Sequence, residues 1–146
     1  MIGIVIVAHG GLAREYLAAL EHILGPQTGI MPISIAAEDN REAKMAEIIA
    51  AADAVDQGDG VVVVTDMFGG SPSNLSMPAC VQDKRKILAG ANLPMLIKLA
   101  KLRGQPVALA VESSLAAGKK YINSFDGAPL DDHAHAATST ADPRNH

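Results

Sequence analysis

The chain has 146 residues and a formal net charge of −4, a length that suits one domain with a proper core and leaves no room for a second catalytic one. Hydrophobic residues make up 49% but aromatic residues only 3%, with no Trp, so the core is aliphatic and neither a basic stripe nor a base-stacking platform is present for nucleic acid. The single cysteine, Cys80, excludes an internal disulfide and a cysteine-rich zinc site, and it fits a cytoplasmic address.

The first strand is predicted over Ile2 to Val7. Its apolar residues are consecutive rather than alternating, as are those of Val61 to Val64, which is the pattern of parallel strands covered on both faces. No Lys or Arg precedes this run and it ends at His9-Gly10-Gly11, so it has neither the charged start nor the cleavage site of a signal peptide. Leu12, Tyr16, Leu17, Leu20, Ile23 and Leu24 then recur at helical spacing, closed by Gly25-Pro26. Met31 to Ile35 is the second strand. A second helix runs from Asn40 to about Val55 with Met45, Ile48, Ile49 and Val55 on one face, and Asp39 with Glu42 reads as a capping box. Val61 to Thr65 is the third strand.

Beyond it, Ser71 suits the N-cap of a third helix and Pro72 its first turn, while Pro78 should kink or shorten that helix. Lys86 to Ala89 is a short fourth strand. Pro94 opens a helix through Leu102, and Pro106 opens another through about Ala116, ended by Gly118. No apolar stretch reaches the roughly 18 residues of a membrane span, because Asn92, Pro94 and Lys98 interrupt the best one, so no membrane insertion is expected. Residues 131–146 show no periodicity and little to bury, and read as a disordered tail after a domain over 1–130. Strands separated by helices predict an α/β fold, an open parallel sheet with helices on both faces.

In such sheets the ligand crevice lies past the carboxyl ends of the strands, and His9 and Asp66 stand there, after strands one and three. Where those strands are neighbours, as in the order 2-1-3-4, both side chains enter one crevice. Asp66 can then hold the Nδ1 proton of His9 and leave Nε2 with an outward lone pair. Gly10-Gly11 and Gly69-Gly70-Ser71 each precede a helix and can aim backbone N–H groups at one anion. A nucleophilic imidazole beside an anion hole points to phosphoryl transfer.

Competing chemistries fit less well. No Walker pattern and no G-x-G-x-x-G after strand one is present, so a nucleotide lacks its usual cradle. His9, Asp66 and Ser71 are not a hydrolase triad, since Gly-Gly-Ser-Pro-Ser lacks the last Gly of the nucleophile elbow and Pro72 has no N–H for an oxyanion. Ala8-His9 replaces the acidic pair that a metal-dependent phosphoaspartate site needs. His22 reads as a surface or boundary residue of the first helix, and His133 with His135 gives too few fixed ligands for a structural metal site. Met45, Met67, Met77 and Met95 read as packing or contact residues; Arg14, one turn into the first helix, reads as a solvated charge first and as a contact to the anion or a protein partner second.

Three stretches carry a resemblance: Ile4 to Gly10, Thr65 to Asn74, and Leu88 to Leu96 (Leu-Ala-Gly-Ala-Asn-Leu-Pro-Met-Leu). Together they resemble, in order and over residues 1 to about 125, the IIA component of the mannose-type phosphoenolpyruvate-dependent sugar phosphotransferase system. The resemblance implies that His9 is the phosphohistidine, charged by the phosphocarrier protein HPr and discharged to a IIB partner, with Asp66 and Ser71 in support. It also implies a four-stranded parallel sheet of order 2-1-3-4 and a homodimer exchanging a C-terminal edge strand, for which Lys119 to Phe125 is the candidate. No cofactor is implied: the donor is already a phosphoramidate, so the relay needs neither a nucleotide nor a metal. Phe68 and Met67 are the candidate apolar rim for docking partners, where better-known members place Trp. Two other roles suit the same residues: a regulatory protein whose His9 phosphorylation controls a partner, and the phosphotransfer subunit of dihydroxyacetone kinase.

Overall fold

A computed structural model describes residues 1–127 of the chain; the tail expected over 131–146 lies outside them. In order the elements are β1 (Gly3–His9), α1 (Leu12–Leu24), β2 (Ile30–Ile35), α2 (Arg41–Val55), β3 (Val61–Thr65), α3 (Ser71–Ser76), a 3-10 turn (Met77–Cys80), β4 (Arg85–Ala89), α4 (Leu93–Lys101) and α5 (Val107–Lys120). The strands form one sheet in the order β2-β1-β3-β4, every neighbouring pair parallel. The α/β class and the order 2-1-3-4 are therefore as expected.

The unbroken apolar runs are explained by two separate cores. Ile4, Ile6 and Ala8 of β1 and Val62 and Val64 of β3 pack with Leu20, Leu96, Leu99 and Ala110 from α1, α4 and α5. The residues between them, Val5, Val7, Val61 and Val63, pack on the other face with Ile48, Ala51, Ala52 and Val55 of α2 and Leu75 of α3. Each Val, Leu or Ile side chain contributes roughly 1.5–3 kcal/mol when fully buried, and a strand with one face in solvent would forfeit about half of its share. Central placement of β1 and β3 follows from this, and it puts their carboxyl ends side by side.

Several local expectations are corrected. The cap of α2 is Asn40, whose Oδ1 accepts the Ala43 N–H at 2.8 Å. Asp39 is not available for a capping box with Glu42, because its carboxylate accepts the Ala36 N–H at 2.7 Å and closes the preceding turn. Ser71 is the first residue of α3, and Gly70 is its cap. Pro78 does shorten that helix, which passes into the 3-10 turn at Met77. Gly118 does not end α5; it lets the helix press on α4, since a Cβ there would stand 3.0 Å from the Met95 Cε. Its carbonyl also accepts from the Asn92 side chain at 2.9 Å.

Lys119 and Lys120 thus close α5, where their charges oppose the negative end of the helix dipole. They are removed from the proposed exchanged strand, and residues 122–127 follow without regular structure. Among the described residues no helix is long and apolar enough to cross a membrane.

The sheet's lower end depends on a close approach at Gly60, which has φ +99, and where a Cβ would run into the Lys84 carbonyl and lie 2.6 Å from Val107 Cγ2. Gly58 has nearly the same φ, +97, but open space around its Cα. Gly58→Ala is expected to cost about 1–2 kcal/mol from backbone strain alone. Gly60→Ala should cost about 1–3 kcal/mol more, from the collision. Denaturant midpoints of the two variants check this, and equal losses would show that the approach does not constrain the fold.

Candidate functional site

The register brings the two site residues together. Val7 stands opposite Thr65, the last residue of β3, so Asp66, the next residue, comes level with the end of β1, where His9 is the last strand residue. Gly10 then adopts φ +56, a left-handed turn open to glycine at little cost, and Gly11 caps α1.

Asp66 Oδ2 accepts two hydrogen bonds from His9, one from its backbone N–H at 3.0 Å and one from the ring Nδ1 at 2.8 Å. The imidazole is about half exposed, at 52%, whereas Asp66 is at 10%. An ionised carboxylate can only accept, so Nδ1 carries the proton, and in the neutral imidazole Nε2 then keeps the lone pair. Burial by itself pushes the Asp66 carboxyl up, but the His9 amide and ring outweigh it and hold the group below its ordinary value. Asp66 Oδ1 is buried and has no hydrogen-bond partner among the described residues, so the contact with His9 is made through Oδ2 alone.

The glycines play different parts. The Gly10 amide donates to the Ile35 carbonyl at 3.0 Å, so of the Gly10-Gly11 pair expected to aim N–H groups at an anion, Gly10 is already engaged. Gly70 lies against the ring, since a Cβ on it would stand 3.6 Å from His9 Cε1, and as the cap of α3 it brings that helix start beside the imidazole. Gly69, at φ +82, makes the turn into it. Ser71 is exposed, and among the described residues no hydrogen bond joins its side chain to His9 or Asp66. Met67 and Phe68, on the loop between β3 and α3, are 55% and 81% exposed. Arg14 and His22 are exposed on α1 and take no part in the contact, and His133 and His135 lie outside the described residues. No group of three or more His, Cys, Asp or Glu side chains is gathered for a metal among the described residues.

Sequence reasoning missed three neighbours. Tyr16 Oη donates to the Ala91 carbonyl at 3.0 Å; its phenol is pushed up by burial and then by the charge of Asp66. Thr65 and Ser73 share a buried hydroxyl contact of 2.9 Å directly behind Asp66. A Thr adjoining the acid, and a Ser one turn into the following helix, were the available signals, but both are ordinary residues for a strand end and a helix start.

A family model described as PTS system fructose IIA component matches residues 3–117. The chain is 30% identical over 147 residues to the PTS system mannose-specific EIIAB component of Escherichia coli, an alignment covering 96% of this chain and 44% of that protein. It therefore spans less than half the length of that relative. Among solved structures, phosphotransferase system component EIIA from Streptococcus agalactiae superposes with a TM-score of 0.77 at 28% identity, covering 86% of this chain and 98% of that one. The mannose/sorbose specific IIA subunit from Enterococcus faecalis gives 0.78 at 25% identity, covering 88% and 98%. With most of its length matched by one family model, and with the fold of those IIA structures, the chain belongs to the EIIA-man family of phosphotransferase system IIA components.

Proposed function

We propose that the protein is a phosphohistidine carrier of the sugar phosphotransferase system, taking a phosphoryl group from phospho-HPr on His9 Nε2 and passing it to a IIB component. The observation that carries this reading is the 2.8 Å contact between His9 Nδ1 and Asp66 beneath a half-exposed ring. In the transfer, the Nε2 lone pair attacks phosphorus while the donor's own N–P bond breaks, and the positive charge that develops on the imidazole is balanced by Asp66. The N-cap of α3 at Gly70 flanks the ring and favours negative charge there, with Gly11, Gly69 and Ser71 as further candidates to contact phosphate.

Phe68 and Met67 form the apolar rim against which HPr and the acceptor dock. A homodimer belongs to the same reading: among the described residues β4 is an edge strand, which a strand from a second copy would extend, and Ile122 and Phe125, 74% and 61% exposed, follow α5 as apolar residues for that strand. So does a cytoplasmic location, where Cys80, its thiol pushed up to about 11 by burial, stays reduced and unreactive.

Incubation with phosphoenolpyruvate, enzyme I and HPr, followed by peptide mapping, is expected to place one phosphoryl group on His9 as an acid-labile, base-stable adduct. His9→Ala should abolish labelling with its circular dichroism unchanged; a base-labile adduct, or labelling that persists, would move the site to Asp66 or elsewhere.

Asp66→Asn is expected to slow labelling on the order of 100-fold, because an amide no longer demands the proton on Nδ1. Its stability has a defined pH dependence. Since the folded Asp66 carboxyl lies below its ordinary 3.8, its stabilising effect is complete above that pH and is lost as pH falls through the lower folded value. The stability gap between wild type and Asp66→Asn should accordingly narrow in acid, as read from thermal melts at pH 7 and near pH 3. A gap that widens in acid would contradict the assignment.

A further inference from the structure

The loop that carries Asp66 has little packing to hold it. The β-ladder on both sides of β3 ends at Thr65, which pairs with Val7 and Ala89, so Asp66 is the first residue past it. Met67 and Phe68 then point outward, 55% and 81% exposed, and the chain turns at Gly69 with positive φ. Yet the two donors of His9 must both find one carboxylate oxygen within about 3 Å. Some other group must set the backbone of residue 66.

Ser73 Oγ donates to the Met67 carbonyl at 2.9 Å, and the same oxygen lies 2.9 Å from Thr65 Oγ1. A serine hydroxyl has one proton. Since that proton goes to a carbonyl, which only accepts, Thr65 must be the donor of the second bond. A directed chain results, from the Thr65 hydroxyl to the Ser73 hydroxyl to the Met67 carbonyl, and it bridges the residues on either side of Asp66. Thr65 is fully buried and Ser73 1% exposed, so water cannot readily take over either bond. The rear of the strand end is braced as well: the Thr65 carbonyl accepts the Ala91 N–H at 3.0 Å, and the Ala91 carbonyl accepts Tyr16 Oη at 3.0 Å.

We propose that Thr65 and Ser73 are positioning residues for phosphoryl transfer, clamping the backbone on both sides of Asp66 so that its carboxylate keeps His9 in the Nδ1–H tautomer. The inference rests on the phosphocarrier reading for its consequence, but its geometry concerns the resting protein. Neither hydroxyl touches the phosphoryl group. Both act through Asp66, in the way that groups behind an orienting carboxylate fix the tautomer and aim of a catalytic imidazole.

The test compares Thr65→Val, which keeps the shape and removes the donor, Thr65→Ser, which keeps the hydroxyl, and Ser73→Ala, which breaks both bonds. Nitrogen-15 spectra of the His9 ring at alkaline pH report which nitrogen carries the proton, and labelling by phospho-HPr reports the rate. Wild type and Thr65→Ser are expected to hold the proton on Nδ1. Thr65→Val and Ser73→Ala should show a growing share on Nε2, with labelling slowed on the order of 10-fold in Ser73→Ala. Ring signals and rates equal to wild type in both, with only melting temperature lowered, would reduce the pair to a structural role and overturn the proposal. Should Ser73→Ala fail to fold, Thr65→Val decides the question alone. Failure of wild type to take phosphate from phospho-HPr would refute the carrier reading instead, leaving the tautomer comparison to judge the positioning.

Discussion

One carboxylate oxygen, Asp66 Oδ2, receives both the backbone amide and the ring nitrogen of His9, and the rest of the site is arranged around that double contact. The amide bond ties the carboxylate to the end of β1, so the ring bond can form without a search through side-chain rotamers. Fixing both partners in advance means that little conformational entropy is lost when a reactant arrives. It also means that the imidazole is held by one edge only. The other edge stays in solvent, half exposed, and that is the edge with chemistry left to do.

Such an arrangement has an energetic cost that the fold must absorb. Asp66 is largely buried, and burial by itself works against its charged form. Stability for this comes from the two aliphatic cores on either side of the sheet, where β1 and β3 are buried throughout their apolar stretches. The site therefore sits at the rim of the most rigid part of the molecule. His9 belongs to β1 itself, whereas Asp66 lies just past β3 and takes its hold from the Thr65–Ser73–Met67 bridge.

Family membership and geometry support different statements. The match over residues 3–117 identifies the kind of component, and the likeness to IIA structures accounts for the sheet order. What they do not supply is how this chain holds its own acid. Thr65, Ser73, Ala91 and Tyr16 form a hydrogen-bonded frame around Asp66 that comes from four separate elements or loops. A network of this kind distributes the task of orientation over several residues, each of which looks ordinary in isolation.

Much was legible in the residues alone. Unbroken runs such as Val61 to Val64 mean strands buried on both faces, because no solvent-facing position is left for a polar side chain; helical periodicity over Leu12 to Leu24 and the proline and glycine punctuation followed from equally local rules. Those rules also placed His9 and Asp66 at strand ends. Local rules failed where two groups competed for one partner. Asp39 was spent on Ala36 and left the cap to Asn40, Gly10 gave its amide to Ile35 rather than to an anion, and Gly118 served helix contact instead of helix termination. Only the tertiary structure could decide these, and only it could show that Thr65 and Ser73 meet behind Asp66. A sequence lists donors and acceptors; which of them pair depends on distances set by the packing of the whole sheet.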